Sequence, residues 1–242
     1  MKQGGALGVI LARAGSKGLP NKNSMKIAGK PMLAWTIEHA LASSQIKRVM
    51  VTTDGEALAQ IAGKYDVEVI RRPAELASDI ATVDAAARHA VNQVVDTHEQ
   101  VCLLYGNVPV RPDDLCDRAI EMLGETNADS VQSVCSVGKN HPYWMKTVDL
   151  DTGKLGMVQE NQVYRRQELP PVYMLDGGVI ALTRSSLFSL IEGQPHAFLG
   201  SDRRAVVTEP GDVVDIDTKE DCAIAEVILE ERQQNGAVRA VG

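Results

Sequence analysis

Aromatic side chains are scarce in this sequence: Phe, Trp and Tyr together make up 4% of its 242 residues. The core must then be built from Ala, Val, Ile and Leu, a composition that suits helices layered on a buried sheet. Positive charge is also short. The formal net charge is −7 at pH 7, which argues against nucleic acid as a partner, since contact with a phosphate backbone rests on an excess of Lys and Arg. The four cysteines, Cys102, Cys116, Cys135 and Cys222, include no C-x-x-C pair. That disfavours a zinc site and leaves reduced thiols of a cytoplasmic protein as the simplest reading. No apolar run is long enough to span a bilayer, and the run from Ala6 to Leu11 is too short for a signal-peptide core. No membrane partner is expected, and internal repeats and low-complexity tracts are absent.

What is present is a regular alternation. Hydrophobic residues make up 44% and charged residues 24%, ordinary values for a globular chain whose length suits one domain over residues 1–242. Apolar runs at Ala6 to Leu11, Arg48 to Thr53, Val67 to Ile70 and Val101 to Tyr105 read as buried parallel strands. Between them Pro31 opens a helix to about Ala42, a second helix runs near Glu56 to Lys64, and Asp79 caps a third that reaches Val95. Ser130 to Val137 alternates like a half-exposed strand. Further strands are expected at Gly178 to Leu182, Arg204 to Val207 and Val213 to Ile216, with a helix near Ser185 to Ile191. A closing helix runs from Thr218 to about Arg232, and residues 233–242 read as a frayed tail. The expected fold class is α/β, a Rossmann-like and mostly parallel sheet with helices on both faces. Residues 138–175 break the rhythm and read as a small β-rich excursion that covers a site or meets a second subunit. In such sheets ligands bind at the carboxyl ends of the strands.

Three segments fall at such ends. The first is Leu11-Ala12-Arg13-Ala14-Gly15-Ser16-Lys17-Gly18-Leu19-Pro20-Asn21-Lys22-Asn23. It joins glycines, whose backbone can form an anion-binding nest, to the bases Arg13, Lys17 and Lys22. No acid interrupts the run from Arg13 to Lys30. A concentrated positive patch on an acidic chain points to a local anion, phosphate above all. The spacing is neither a Walker loop nor G-x-G-x-x-G, which disfavours a kinase-type NTPase and a dehydrogenase. The second segment, Asp215-Ile216-Asp217, sets two carboxylates at alternate positions of an expected strand, where they can share one hard cation. Mg²⁺ on one or two carboxylates plus substrate phosphates is the common nucleotide arrangement; Asp217 or Thr218 could equally cap the following helix. The third is the turn after Tyr105, where Gly106 permits close approach of a base or sugar and Arg111 suits a phosphate or carboxylate.

Taken in order, these segments resemble the acylneuraminate (CMP-sialic acid) cytidylyltransferases of the nucleotide-sugar nucleotidyltransferase superfamily. The loop Leu11 to Asn23 resembles their nucleotide-binding signature, and Arg72-Pro73-Ala74-Glu75-Leu76-Ala77-Ser78-Asp79 their segment after the third strand. His141-Pro142-Tyr143-Trp144 also matches, Arg165-Arg166-Gln167-Glu168-Leu169-Pro170-Pro171-Val172-Tyr173 with Asp176-Gly177-Gly178 resembles their sugar side, and Asp215-Ile216-Asp217 their metal pair. The resemblance implies the nucleotide-diphospho-sugar transferase fold. It also implies a reaction: the anomeric hydroxyl of a 2-keto sugar acid, such as sialic, legionaminic or pseudaminic acid, attacks the α-phosphate of CTP and pyrophosphate leaves. Nucleotide contacts would come from Leu11, Ala12, Arg13, Ala14, Gly15, Ser16, Lys17, Lys22, Asn23, Arg72, Thr82, Tyr105, Gly106 and Asn107. Arg13, Lys17 and Lys22 would hold the triphosphate and, with Asp215 and Asp217 on Mg²⁺, form the catalytic set. Arg111, Lys146, Arg165, Tyr173, Asp176 and Gly177 would face the sugar, and the excursion would complete a homodimer by reaching the partner's site.

Two positions depart from the family pattern. Tyr105-Gly106-Asn107-Val108-Pro109-Val110-Arg111 stands where the family has Gln-Pro-Thr-Ser-Pro-Leu-Arg, and is closer to the Tyr-Gly-Asp-Val-Pro loop of UDP-N-acetylglucosamine pyrophosphorylases. Asp176-Gly177 replaces Asn-Gly, adding a carboxylate near an anionic sugar, which calls for a pairing neighbour such as Arg165 or Arg166. A nucleotidyltransferase of the same fold that uses another NTP, or a sugar-phosphate or alcohol acceptor (CMP-Kdo-type activity included), therefore stays open.

Overall fold

The computed structural model describes residues 5–15, 18–95 and 97–240, with side chains as far as Asn235. In chain order the elements are β1 (Ala6–Leu11), β2 (Lys26–Ile27), β3 (Lys30–Pro31), α1 (Met32–Ala42), β4 (Ile46–Thr53), α2 (Glu56–Ala62), β5 (Glu68–Arg71), α3 (Val83–Asn92) and β6 (Gln100–Tyr105). They continue with α4 (Leu115–Thr126), β7 (Ser130–Ser136), β8 (Lys146–Val148), β9 (Leu155–Met157), β10 (Tyr173–Thr183), α5 (Arg184–Leu187), β11 (Arg203–Thr208) and α6 (Lys219–Ala240).

Seven strands form one sheet in the order β11-β7-β10-β6-β1-β4-β5. β1 pairs in parallel with β4 and β6, β4 with β5, and β7 with β11; only β10 runs antiparallel to its neighbours β6 and β7. Every residue of β1 is buried, because helices cover both faces of the sheet. Ala6 and Ile10 point toward α1, α2 and α4, packing with Leu33, Ile37, Leu58 and Ile120. Leu7, Val9 and Leu11, one residue out of phase, face α3 and α5 and pack with Ala87, Val91 and Leu187. The period of two along the strand thus divides the aliphatic core into two layers. The mostly parallel α/β sheet expected from the alternation is the sheet observed.

A third apolar cluster positions the site. Ala225 and Leu229 of α6 pack against Leu19, Ile27 and Met32 from the first loop and its sequel, and against Val110, Val214 and Ile216. It therefore draws the loop after β1 and the segment before α6 together at the carboxyl end of the sheet.

Several boundaries differ from the sequence expectation. Thr82, not Asp79, caps α3, its hydroxyl accepting from the Ala85 amide at 3.4 Å, and the helix stops at Asn92. The strand expected at Val213 to Ile216 reduces to a single bridge between Val110 and Val214. Its amides bond to a loop, Val214 to the Val110 carbonyl and Ile216 to that of Asn107, so no ladder forms. The helix expected near Ser185 to Ile191 is the short α5. α4 was not foreseen, although Leu115, Cys116, Ala119, Ile120 and Leu123 are buried at helical spacing and Asn127, at φ 53°, ends it in the left-handed region. α6 runs on to Ala240 through most of the tail expected to fray: the stretch holds no proline, and Gln233, Gln234, Ala237, Arg239 and Ala240 favour the helix against Asn235 and Gly236. Of the excursion expected at residues 138–175, β8 and β9 form a small antiparallel ribbon of exposed residues, but Tyr173, Met174 and Leu175 are already in β10, paired with Ser136, Cys135 and Val134 of β7 in the main sheet. Among the described residues no helix is long and apolar enough to cross a membrane.

Candidate active site

At the carboxyl ends of β1, β5 and β6 a cleft of ≈ 280 Å³ is lined by Leu11, Arg13, Gly15, Lys22, Asn23, Arg72, Thr82, Tyr105 and Asn107, and also by Leu76, Ser78, Asp79, Ala81, Val83 and Ala86. The first nine are residues that the sequence singled out for the nucleotide. Ser16 and Lys17, assigned to the same role, lie outside the described residues. Ala12 and Gly106 stand behind the cleft surface. A Cβ on Gly106 would come within 2.9 Å of the Ala12 Cβ and 3.2 Å of Asn23 Oδ1, so only glycine lets the turn after β6 close on the first loop. Ala14 fastens that loop from outside, its amide donating to Asp54 at 2.8 Å.

Three cations converge. Arg13 Nη1 donates to Asp79 Oδ1 at 2.8 Å. Arg72 donates to the Thr52 carbonyl at 3.0 Å; burial pulls its pKa below the usual arginine value, Asp54 pulls it back up, and Arg13 adds to the lowering. Lys22 Nζ reaches Asp217 Oδ1 at 2.8 Å, and its side chain is only 13% exposed. Asn23 is buried, donates to the Arg13 carbonyl at 2.9 Å, and keeps its Oδ1 without a partner among the described residues. A buried acceptor left open beside a cleft is a place for a ligand donor. Tyr105 closes the floor, its phenol raised above its ordinary pKa by burial first and by Asp215 second. Asp79 and Asp54 were missed as site residues; Asp79 was assigned to the cap, although it ends the quoted Arg72 to Asp79 segment.

Asp215 sits between two loops. Asn107 Nδ2 donates to its Oδ1. On the other side Gly177, at φ +76°, turns so closely that a Cβ there would be 3.4 Å from Asp215 Oδ2. Crowding of the carboxyl by protein pushes its pKa up to about 6, and Asp217 adds like-charge repulsion, while Lys22 and Arg111 oppose the rise. Among the described residues no group of three or more His, Cys, Asp or Glu is arranged to hold a metal by itself. The pair Asp215 and Asp217 fits a hard cation whose remaining places are filled by phosphate oxygens and water, the pattern of Mg²⁺ rather than of an all-protein cage.

The sugar side needs correction. Arg111, expected to contact the sugar, is 2% exposed and turned into the protein. Its guanidinium donates to the carbonyls of Gly178 at 2.6 Å, Tyr105 at 2.9 Å and Val108, and to Thr36 Oγ1 at 3.1 Å. Asp176 does not pair with Arg165 or Arg166. It accepts from Ser133, from Thr208 Oγ1 at 2.6 Å and from the Gly178 amide at 2.9 Å, which pins the irregular turn of β10 between Leu175 and Ile180. Lys146, Arg165 and Tyr173 lie on the exposed excursion and do not line the cleft; Arg165 is 3.9 Å from Glu168.

Residues 7–195 match the family described as Cytidylyltransferase. This chain belongs to the cytidylyltransferase family. An N-acylneuraminate cytidylyltransferase of Streptococcus agalactiae serotype V is 31% identical over 215 residues, which cover 88% of this chain and 50% of the relative. The chain thus spans about half the length of the streptococcal relatives it matches. A CMP-N,N'-diacetyllegionaminic acid synthase of Legionella pneumophila is 29% identical over 237 residues, covering 94% of this chain and 97% of that one. The structure of a CMP:2-keto-3-deoxy-manno-octonic acid synthetase complexed with CTP superposes with a TM-score of 0.72 at 19% identity, over 94% of this chain and 99% of that one. That likeness establishes the fold of this chain.

The raised Asp215 makes a pH prediction for the metal-free chain. Its folded pKa of about 6 exceeds the unfolded value of about 3.9, so the folded state binds the proton more tightly. The stabilisation from that proton is full below the unfolded pKa and lost as pH rises to the folded one. Asp215→Asn keeps an acceptor for Asn107 and removes the charge. Its melting temperature should exceed that of wild type at about pH 8, with the gap shrinking toward about pH 5. A gap independent of pH would show that Asp215 is not strained.

Proposed function

We infer that this cytidylyltransferase couples CTP to a nonulosonic acid, such as sialic, legionaminic or pseudaminic acid, releasing pyrophosphate. The observation that carries this is the meeting of Lys22 and Asp217 at 2.8 Å on the cleft that also holds Arg13, Arg72 and the open acceptor of Asn23. Cations for a triphosphate and carboxylates for its counter-ion thus share one place. The names of the relatives supply the acid: N-acylneuraminate and diacetyllegionaminate.

Arg13, Lys22 and Arg72 bind and orient the triphosphate. Lys22 can leave Asp217 for a phosphate oxygen, since an ion pair at the cleft mouth exchanges partners at little cost. Asn23 and Thr82 lie toward the nucleoside. Asp215 and Asp217 would hold Mg²⁺, which, when bound, neutralises phosphate charge and acidifies the attacking hydroxyl. The anomeric oxygen forms a bond to the α-phosphorus, the bond to the bridging oxygen of pyrophosphate breaks with its electron pair, and the hydroxyl proton passes to water. Catalysis by the chain is then positioning and charge neutralisation.

A second copy of the chain belongs to the same reading. Met145, Val148, Leu150, Leu155 and Tyr164 of the excursion, and Leu175 near the start of β10, are exposed apolar side chains, and exposed apolar patches are commonly covered by a partner. The lone chain brings none of the expected sugar-side bases of the arm to its own cleft, which favours an arm that serves the partner's. Sedimentation at micromolar concentration should give a dimer; a monomer would remove this part of the account.

The reaction is tested by following pyrophosphate release from CTP with a panel of keto sugar acids. Turnover should require the acid and Mg²⁺, and Asp217→Asn should lower kcat by about 100-fold or more. Silence across the panel together with turnover of a sugar 1-phosphate, or equal use of UTP, would favour the broader nucleotidyltransferase alternative.

A further inference from the structure

Arg111 spends a buried charge where uncharged groups would cost less, since taking a guanidinium out of water is unfavourable unless every donor is met. Each of its three nitrogens donates, four bonds in all, and the acceptors come from three separate segments. Two carbonyls, those of Tyr105 and Val108, belong to the turn after β6; Gly178 belongs to the irregular turn of β10; Thr36 is on α1, where its own hydroxyl also contacts the Tyr105 and Val108 carbonyls. The turn after β6 carries Asn107, which donates to Asp215, and the turn of β10 carries Gly177, which packs against the other oxygen of the same carboxylate. We propose that Arg111 is a positioning residue: by tying these two turns together it fixes both neighbours of Asp215 and thereby the place of that carboxylate beside Asn107 of the cleft wall. A lysine has one nitrogen and cannot span the three segments as a planar fork does. Burial pushes the guanidinium down to about 10, so it remains charged at neutral pH and keeps all its donors. Arg232 donates to the Arg111 carbonyl at 2.6 Å, holding its backbone as well.

This role rests on the cation and nucleotide reading of the cleft, and its test separates the two. Mn²⁺ binding in the presence of CTP is followed by electron paramagnetic resonance for the full chain. Arg111→Lys should bind Mn²⁺ about tenfold more weakly or worse while remaining folded by circular dichroism. Combined with Asn107→Ala it should lose less than the two single effects added, because both act through Asp215. Wild-type Mn²⁺ affinity in folded Arg111→Lys overturns the proposal. If that variant does not fold, Thr36→Val, which removes one acceptor and leaves the charge, should still weaken Mn²⁺ binding, and an unchanged value overturns it. A wild-type chain that binds Mn²⁺ with CTP but turns over no keto sugar acid removes the proposed reaction and leaves Arg111 its role. A wild-type chain that holds no Mn²⁺ removes both.

Discussion

Lys22 and Asp217 are 195 residues apart in the chain and 2.8 Å apart in space. Everything proposed for the cleft depends on that approach, and the ion pair itself is too exposed on the Asp217 side to enforce it. The force comes from the apolar cluster beneath, where Leu229 and Ala225 of α6 lock onto Leu19 and Met32 on one hand and Val214 and Ile216 on the other. Burial of aliphatic surface is non-directional, but here the segment before α6 is held to the turn after β6 by backbone bonds, Ile216 to Asn107 and Val214 to Val110. The hydrophobic effect thus brings the segments together, and the hydrogen bonds select how they meet.

The electrostatics of the site point to function rather than stability. Asp215 and Asp217 repel, Arg13 and Arg72 repel, and Asn23 leaves an acceptor open. Each is unfavourable in a chain without ligand; the two repulsions are relieved by a species carrying phosphate charge together with a divalent cation, and the open acceptor by an N–H or O–H donor of the same ligand. Proteins retain such strain where activity needs it. The surrounding supports are well bonded by contrast: Asp176 accepts three hydrogen bonds and Arg111 donates four. Rigid supports around an unsatisfied centre are the arrangement that positioning and charge stabilisation require.

The sheet was legible because its strands are largely aliphatic runs broken by Gly, Pro and Asp. That Arg13, Lys22, Asn23, Arg72 and Asn107 gather on one cleft was legible for the same reason: all follow strand ends or lie in the adjoining loops. The sugar side was not. Whether Arg111 points outward or inward is decided by acceptors on Thr36 and Gly178, distant in sequence and visible only after folding. Asp176 looked like an excess charge because its partners Ser133 and Thr208 carry none. Asp79 and Thr82 are both good caps, and only tertiary contact with Arg13 reveals which serves the helix. The strand at residue 214 failed because alternation of apolar residues signals burial on one side, not the presence of a neighbouring strand.

A crystal structure of the full chain with CTP and Mg²⁺ tests the central claim most directly. The account predicts a single triphosphate between Arg13 and Lys22 on one side and Asp215 and Asp217 on the other, with Lys22 moved from Asp217 to phosphate. A triphosphate bound elsewhere, or bound here with the aspartates facing away from it, would contradict it.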